Sequence, residues 1–328
     1  MFFSVIIPLY NKAPYVEKAL RSVAAQTFSD YELIVVDDGS KDESAFVAER
    51  VLNDCWLSQS KPQSVKLLRQ ANAGVSTARN NGVAASQGQY ICFLDADDWW
   101  EPAFLEEMAK LIAEFPDAGI YGTNYTIINE TRHKTRVASV GVEEDFEKGY
   151  INYCKVYAKT MHMPLTSISV AIPRMIFDEM QGFRPHLKLG EDFDLWIRVA
   201  LKHKVAFLNK PLSNYNQDVD VANRGVGRLH KPENHMLWNL EYLEEEEKTN
   251  PDYKQLIDNL RAYGLFPYYL SEKYHESARM ELAKVDWSRQ PAKYRKLYRM
   301  PIGCLKIKNQ IRGIGSDLKR MIMKVVWK

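Results

Sequence analysis

Over the first hundred residues, short continuous apolar runs alternate with apolar positions spaced three or four apart, and this alternation sets the expected fold. Ser4-Val5-Ile6-Ile7-Pro8-Leu9 has the pattern of a buried strand. Pro14 then opens a helix with Val16, Ala19, Leu20 and Val23 on one face. Leu33-Ile34-Val35-Val36 is an unbroken apolar run, the kind that a parallel sheet buries on both faces. It ends in Asp37-Asp38-Gly39-Ser40, where Ser40 and Glu43 have capping-box spacing for the next helix. A strand at Val65-Lys66-Leu67-Leu68, a small-residue helix over 74–85, a strand over 90–94 and a helix over 102–115 continue the series. The last of these places Phe104, Leu105, Met108, Leu111 and Ile112 on one side.

This order predicts an α/β fold with a Rossmann-like, mostly parallel, doubly wound sheet and flanking helices. Such sheets bind ligands beyond the carboxyl ends of their strands. Asp37-Asp38 and Asp95-Asp97 both fall at such ends, so both pairs are expected to face one crevice. The second half is more mixed, with strands over 121–129 and 166–172, a helix over 145–157 between them, a helix with an acidic entrance over 190–203 and a short strand over 205–208. Beyond about residue 216 the pattern becomes helical and polar, with helices expected over 232–248, 253–263, 272–284 and 305–326.

The run Phe93-Leu94-Asp95-Ala96-Asp97-Asp98 adds chemistry to this picture. Burying its carboxylates unpaired would cost several kcal/mol per ion. Hard oxygen ligands at a strand end suit Mg²⁺ or Mn²⁺ carrying a phosphate. A solvated acidic turn capping the helix near Pro102 is the alternative, and the segment alone leaves both open.

Composition narrows the class. A net charge of +2 gives no global field for nucleic acid. The four cysteines are scattered, without zinc-ligand spacing or a disulfide framework, which fits a reducing cytoplasm. Met1 to Leu9 is too short for a signal sequence, and no run approaches the roughly 20 apolar residues of a membrane span. Charge is uneven: Arg289 to Lys328 holds twelve Lys or Arg and one acid, Asp317. A basic amphipathic helix over 305–326, ending near Trp327, reads as a peripheral element on the anionic inner face of a membrane, or as a helix packed on protein.

Four segments in order carry a family resemblance: Val5-Ile6-Ile7-Pro8-Leu9-Tyr10-Asn11, Val35-Val36-Asp37-Asp38-Gly39-Ser40, Phe93-Leu94-Asp95-Ala96-Asp97-Asp98 and Gly190-Glu191-Asp192-Phe193-Asp194-Leu195-Trp196. Gly74-Val75-Ser76-Thr77-Ala78-Arg79-Asn80 lies between the second and third. Together they resemble the inverting family 2 glycosyltransferases of the GT-A fold, over roughly residues 3–215, and among them bacterial cell-envelope polysaccharide enzymes. The resemblance implies a GT-A catalytic domain over 1–215, with a nucleotide-binding half to about 100 and an acceptor half beyond it. Residues 216–328 would then be a helical extension. It implies a UDP-sugar donor, a glycan or lipid-linked saccharide acceptor and a Mn²⁺ or Mg²⁺ cofactor.

Residue by residue, the resemblance puts Pro8 and Tyr10 near the base, Asp38 on the base imide, and Arg79 near the base and diphosphate. Asp97 would be the metal ligand, Asp95 would lie towards the ribose, and Asp98 would cap the following helix. Asp192 would be the catalytic base, with Glu191 and Trp196 on the acceptor side. Family members often carry Tyr-Arg-x-His where this chain has Tyr215-Asn216-Gln217-Asp218, so a third contact from that stretch is in doubt, with His230 or His235 as substitutes. Residues 218–227 read as a lid. The rival readings are a sugar nucleotidyltransferase, which would want a Gly-rich basic loop where Leu9-Tyr10-Asn11-Lys12 stands, and a degenerate membrane-associated scaffold.

Overall fold

The computed structural model describes residues 1–57, 64–219 and 229–305. The chain divides into two compact units, residues 1–241 and residues 242 onward. In the first unit β1 (Phe3–Leu9), α1 (Val16–Ala24), β2 (Tyr31–Asp37), α2 (Ser44–Leu52), β3 (Val65–Arg69), α3 (Val75–Ala84) and β4 (Tyr90–Phe93) succeed one another as the apolar pattern predicts. These strands are mutually parallel in the order β3-β2-β1-β4. Every residue of β2 is buried, which explains its unbroken apolar sequence. Pro8 pairs with Val36 of β2, whereas the pairing of β1 with β4 has already ended at Ile6 and Phe93. A residue without an N–H is tolerated where the ladder stops. Gly82 lets α3 approach β1 closely, since a Cβ there would lie 2.4 Å from Cγ2 of Ile6.

The chain continues through β5 (Trp99–Trp100), α4 (Phe104–Glu114), β6 (Ala118–Asn129), β7 (Lys134–Val137), β8 (Lys148–Ile151), α5 (Tyr153–Thr160), β9 (Val170–Pro173), α6 (Arg174–Glu179), α7 (Glu191–Lys202) and β10 (Lys204–Asn216). The sheet extends as β4-β9-β6-β10-β5, with β7 beside β6 and β8 beside β10. β9 is antiparallel to both β4 and β6, and β10 is parallel to β6, so most of the sheet still runs one way. Its core is filled from β1, β2, α1 and α4, with Trp100 stacked on Phe104 at 4.1 Å between ring centres.

Three local expectations change. No helix spans 145–157: residues 148–151 pair with β10, and α5 begins after Asn152, whose side chain accepts the Lys155 N–H at 3.0 Å. The strand expected over 205–208 is β10, thirteen residues long, and passes Pro211 at register shifts where a missing donor is tolerated. The Ser40–Glu43 capping box does not form. Asp42 accepts the Ser44 N–H at 3.0 Å at the start of α2, and Ser40 Oγ accepts the Asn11 N–H at 3.1 Å.

Residues 230–241 belong to the first unit, tied to the approach of α7: Lys188 N–H donates to the Asn234 carbonyl at 2.7 Å, and Met236 N–H to that of Leu189 at 3.0 Å. The second unit contains α8 (Glu244–Thr249), α9 (Pro251–Gly264), α10 (Phe266–Leu270), α11 (His275–Leu282) and α12 (Ala292–Arg299). The helix expected over 232–248 is realised as short turns followed by α8, because Asn239 and Pro232 keep that stretch irregular. Arg261 is buried at the centre of this unit, bonded to Glu247 at 2.5 and 3.0 Å and 3.3 Å from Glu281. A buried cation is tolerable only when paired in this way. The basic helix expected over 305–326 and the lid residues 220–227 lie outside the described residues. No described helix is long and apolar enough to cross a membrane.

Candidate functional site

The carboxyl ends of β1, β2 and β4 bring the first three motifs together. Asp38 follows β2 and is buried, and its carboxylate holds the loop before α3. It accepts from Gln70 Nε2 at 2.7 Å, Asn72 Nδ2 at 3.2 Å, and the N–H groups of Ala73 and Gly74, both at 2.8 Å. Those four donors use the acceptor capacity of a carboxylate. Pro8 closes β1, and Tyr10 just beyond it is 40% exposed.

The acidic cluster after β4 is divided among different partners. Asp97 Oδ2 accepts Lys12 Nζ at 2.6 Å. Burial, and to a lesser extent the charge of Asp95, push the Asp97 carboxyl above its ordinary range, while Lys12 pulls it back. Asp98 is buried and accepts the N–H of Asn216, at the end of β10, at 2.7 Å. Burial, then Asp97 and Asp95, raise its pKa well above the usual carboxylate value. The expectation that Asp98 caps α4 fails: Ala103 occupies the cap position, without a side-chain bond, and Asp98 instead pins β10 to the strand end.

Arg79 links this cluster to the fourth motif. Its Nη2 lies 2.7 Å from Asp95 and its Nη1 3.1 Å from Glu191, with the guanidinium over the Phe183 ring at 5.2 Å. The side chain is 3% exposed. Burial alone would lower its pKa, but Asp95 and Glu191 more than offset this and hold it above the ordinary value. α3 turns Arg79 inward, where a buried guanidinium needs carboxylates.

Gly190 precedes α7 at φ +81°, a conformation that favours glycine, and a Cβ there would also lie 2.9 Å from Met236 Cβ. The turn delivers Glu191 and Asp192 at the first positions of α7, where the helix dipole suits acids. Asp192 is half-buried. Burial, then the charge of Glu191, push its carboxyl up to about 7, against the pull of Arg79. Asp194 is fully buried and pairs with Arg198 at 2.7 Å and Arg184 at 3.3 Å, an anchor of α7.

Trp196, expected on the acceptor side, is fully buried and edge-on to Phe183 at 5.9 Å, because its position on α7 points to the core. His235 is buried, its Nδ1 accepts the Leu237 N–H at 3.1 Å, and burial lowers its pKa to about 4. Asp218, the first residue of the expected lid, has a carboxylate that accepts the N–H groups of Glu130 and Thr131 at the turn after β6. Sequence reasoning missed Lys12, Gln70, Asn72 and Asn216 as site residues. Their partners lie far away along the chain, and only the sheet register brings them together. Lys12 alone carried a hint, two residues beyond Tyr10.

Among the described residues, no group of three or more His, Cys, Asp or Glu side chains could hold a metal by itself. Around Arg79 and Lys12, however, Asp95, Asp97, Asp98, Glu191 and Asp192 leave an excess of carboxylates over cations.

The chain is 33% identical to the glycosyltransferase GlyA of Streptococcus pneumoniae over 220 residues, 65% of this chain and 30% of that one. It is 27% identical to an uncharacterised glycosyltransferase of Rickettsia typhi over 72% of this chain and 70% of the relative. It spans well under two thirds of several curated relatives, 39% of one from Rickettsia conorii. Among solved structures, S. aureus TarS 1-349 in complex with UDP-GlcNAc shares the fold with a TM-score of 0.67 at 19% identity, covering 86% of this chain and 78% of that one. Residues 4–176 match glycosyl transferase family 2. That segment holds Pro8, Tyr10, Asp38, Arg79, Asp95 and Asp97 and stops before α7. With more than half its length matched and the sheet of a GT-A enzyme beneath the motifs, the chain belongs to glycosyl transferase family 2.

Proposed function

We propose that the protein transfers a sugar, with inversion, from a nucleoside diphosphate sugar to a hydroxyl of a glycan or lipid-linked saccharide. The observation that carries this reading is the Arg79 bridge. One buried guanidinium joins Asp95, in the strand-end acid motif, to Glu191, beside a carboxyl held near neutrality at Asp192. A base with a pKa close to the working pH suits proton removal from an acceptor hydroxyl. In this reading Asp192 takes that proton while the oxygen attacks the anomeric carbon opposite the departing diphosphate, and a single displacement inverts the configuration.

The donor in this reading is a UDP-sugar. Tyr10 offers an exposed ring beside the end of β1 for the base. Asp38 acts mainly by holding residues 70–74, and an imide contact would have to displace Gln70 or Asn72. Asp97, with Asp95 beside it, would hold Mn²⁺ or Mg²⁺. The excess of carboxylates and the lack of a protein-only cluster among the described residues suit a cation whose other ligands are phosphate and water. When bound, such a cation supplies charge neutralisation at the leaving diphosphate. Glu191 faces the acceptor side in this reading. The exposed Lys293, Lys296 and Arg299 of α12 add to a basic end that suits the inner face of an anionic membrane.

The test is a panel of UDP-, GDP- and dTDP-sugars screened by thermal shift with and without Mn²⁺, followed by NMR of the product's anomeric configuration. Metal-dependent binding of a UDP-sugar and an inverted product are expected. A retained configuration, or transfer undiminished by chelation, overturns the reading.

A further inference from the structure

Lys12 is fixed at its root, and its ammonium sits at the end of a four-carbon stem. Its N–H donates to Ser44 Oγ at 2.7 Å, and its carbonyl accepts the N–H groups of Tyr15 at 2.9 Å and Val16 at 3.0 Å. Asn11 before it is held in the left-handed region at φ 50°, with Ser40 and Lys41 on its backbone N–H and side chain. The lysine backbone therefore cannot shift without breaking the join between β1, α1 and α2. From that root the four-carbon stem carries the ammonium to Asp97, whose side chain is 18% exposed against 14% for Lys12. Asp97 Oδ2 is thus bonded, at 2.6 Å, by a cation belonging to the protein itself.

We infer that Lys12 is an exchangeable counter-ion. It neutralises Asp97 in the nucleotide-free protein, yields that oxygen to a divalent cation, and re-forms its ion pair on the diphosphate that arrives with the cation. This rests on the donor-site reading above. A divalent cation and an ammonium on one carboxylate repel each other at contact distance, so each weakens the other's hold on Asp97. An ammonium moved off Asp97 gives up a charge-assisted bond that a phosphate oxygen can replace. Phosphate suits a compact point charge on a flexible stem. Lys12 would therefore oppose metal binding to the empty protein and favour it once the diphosphate is present.

The experiment measures Mn²⁺ binding by EPR of the free ion, and UDP binding by calorimetry at saturating Mn²⁺, for the wild type, Lys12→Met and Lys12→Gln. Circular dichroism identifies any variant that fails to fold, and the other then serves. Expected is Mn²⁺ affinity without nucleotide raised about tenfold, and UDP affinity lowered by a similar factor, each the equivalent of roughly 1.4 kcal/mol. Mn²⁺ affinity that is unchanged or weaker overturns the exchange, as does unchanged UDP affinity. Asp97→Ala separates the two levels. If it leaves Mn²⁺-dependent UDP binding intact, the donor-site reading fails. If it abolishes that binding while the Lys12 variants behave as wild type, only the exchange fails.

Discussion

Asp192→Asn should damage catalysis and stabilise the fold, and the second effect has a pH signature. Asp192 is held at about 7, against an ordinary carboxyl value of 3.8. The folded protein therefore binds this proton more tightly than the unfolded chain, and the stability it contributes is present below pH 4 and lost as pH rises to about 7. The shift of roughly three units corresponds to about 4 kcal/mol at 1.36 kcal/mol per unit. Because the side chain is only half-buried, solvent screening reduces this to about 2 kcal/mol. Asparagine keeps the shape and carries no charge, so it escapes the cost. Thermal unfolding of both proteins at pH 5 and pH 8.5 reads the difference. At pH 5 the variant should lead by under about 1 kcal/mol, and at pH 8.5 by about 2 kcal/mol, so its Tm advantage should widen by about 4 °C for a unit of this size. Turnover should fall roughly a hundred- to ten-thousandfold. An advantage that does not change with pH would mean an ordinary carboxylate. A variant less stable at pH 8.5 would make Asp192 a stabilising partner of Arg79, and the base assignment would lose its support.

Three further outcomes follow from the same geometry. Asp97→Ala should abolish Mn²⁺-dependent UDP binding in calorimetry while leaving far-UV circular dichroism unchanged. Arg79→Met should destabilise the first unit by about 3–5 kcal/mol in urea titration, since Asp95 and Glu191 lose a buried partner; a change below about 1 kcal/mol would show that the bridge is not formed. Trp196→Phe should lower Tm, as a buried ring is trimmed, yet leave the KM for acceptor within about twofold, whereas a stacking platform would lose acceptor affinity.

The first hundred residues were legible because their sheet is parallel and buried on both faces, so apolar runs and strands coincide, as in β2. Beyond them the pattern fails wherever a strand is half-exposed or irregular. Tyr150 in β8 is an exposed aromatic in a four-residue edge strand that periodicity reads as part of a helix. Pro211 hides the continuation of β10 because a bulge leaves no mark in composition. At the site, the motifs located Asp38, Asp97 and Asp192 but not what each carboxylate touches. Which groups Arg79 faces depends on which side of α3 packs against the sheet, and the same choice of face on α7 sends Trp196 into the core. Asp98 looked like a cap because the nearest helix is close in sequence, while its partner Asn216 comes more than a hundred residues later.

The Arg79 bridge also constrains how such a chain can change over evolutionary time. Asp95 belongs to the stretch that would decide which donor is used, and Glu191 to the stretch that would decide the acceptor, yet they share one cation. A recombinant joining residues 1–100 of one relative to the remainder of another would inherit a working clasp only if both parents place their acids in the same register. New pairings of donor and acceptor should therefore arise more readily by altering surface loops within one lineage than by exchanging halves between lineages.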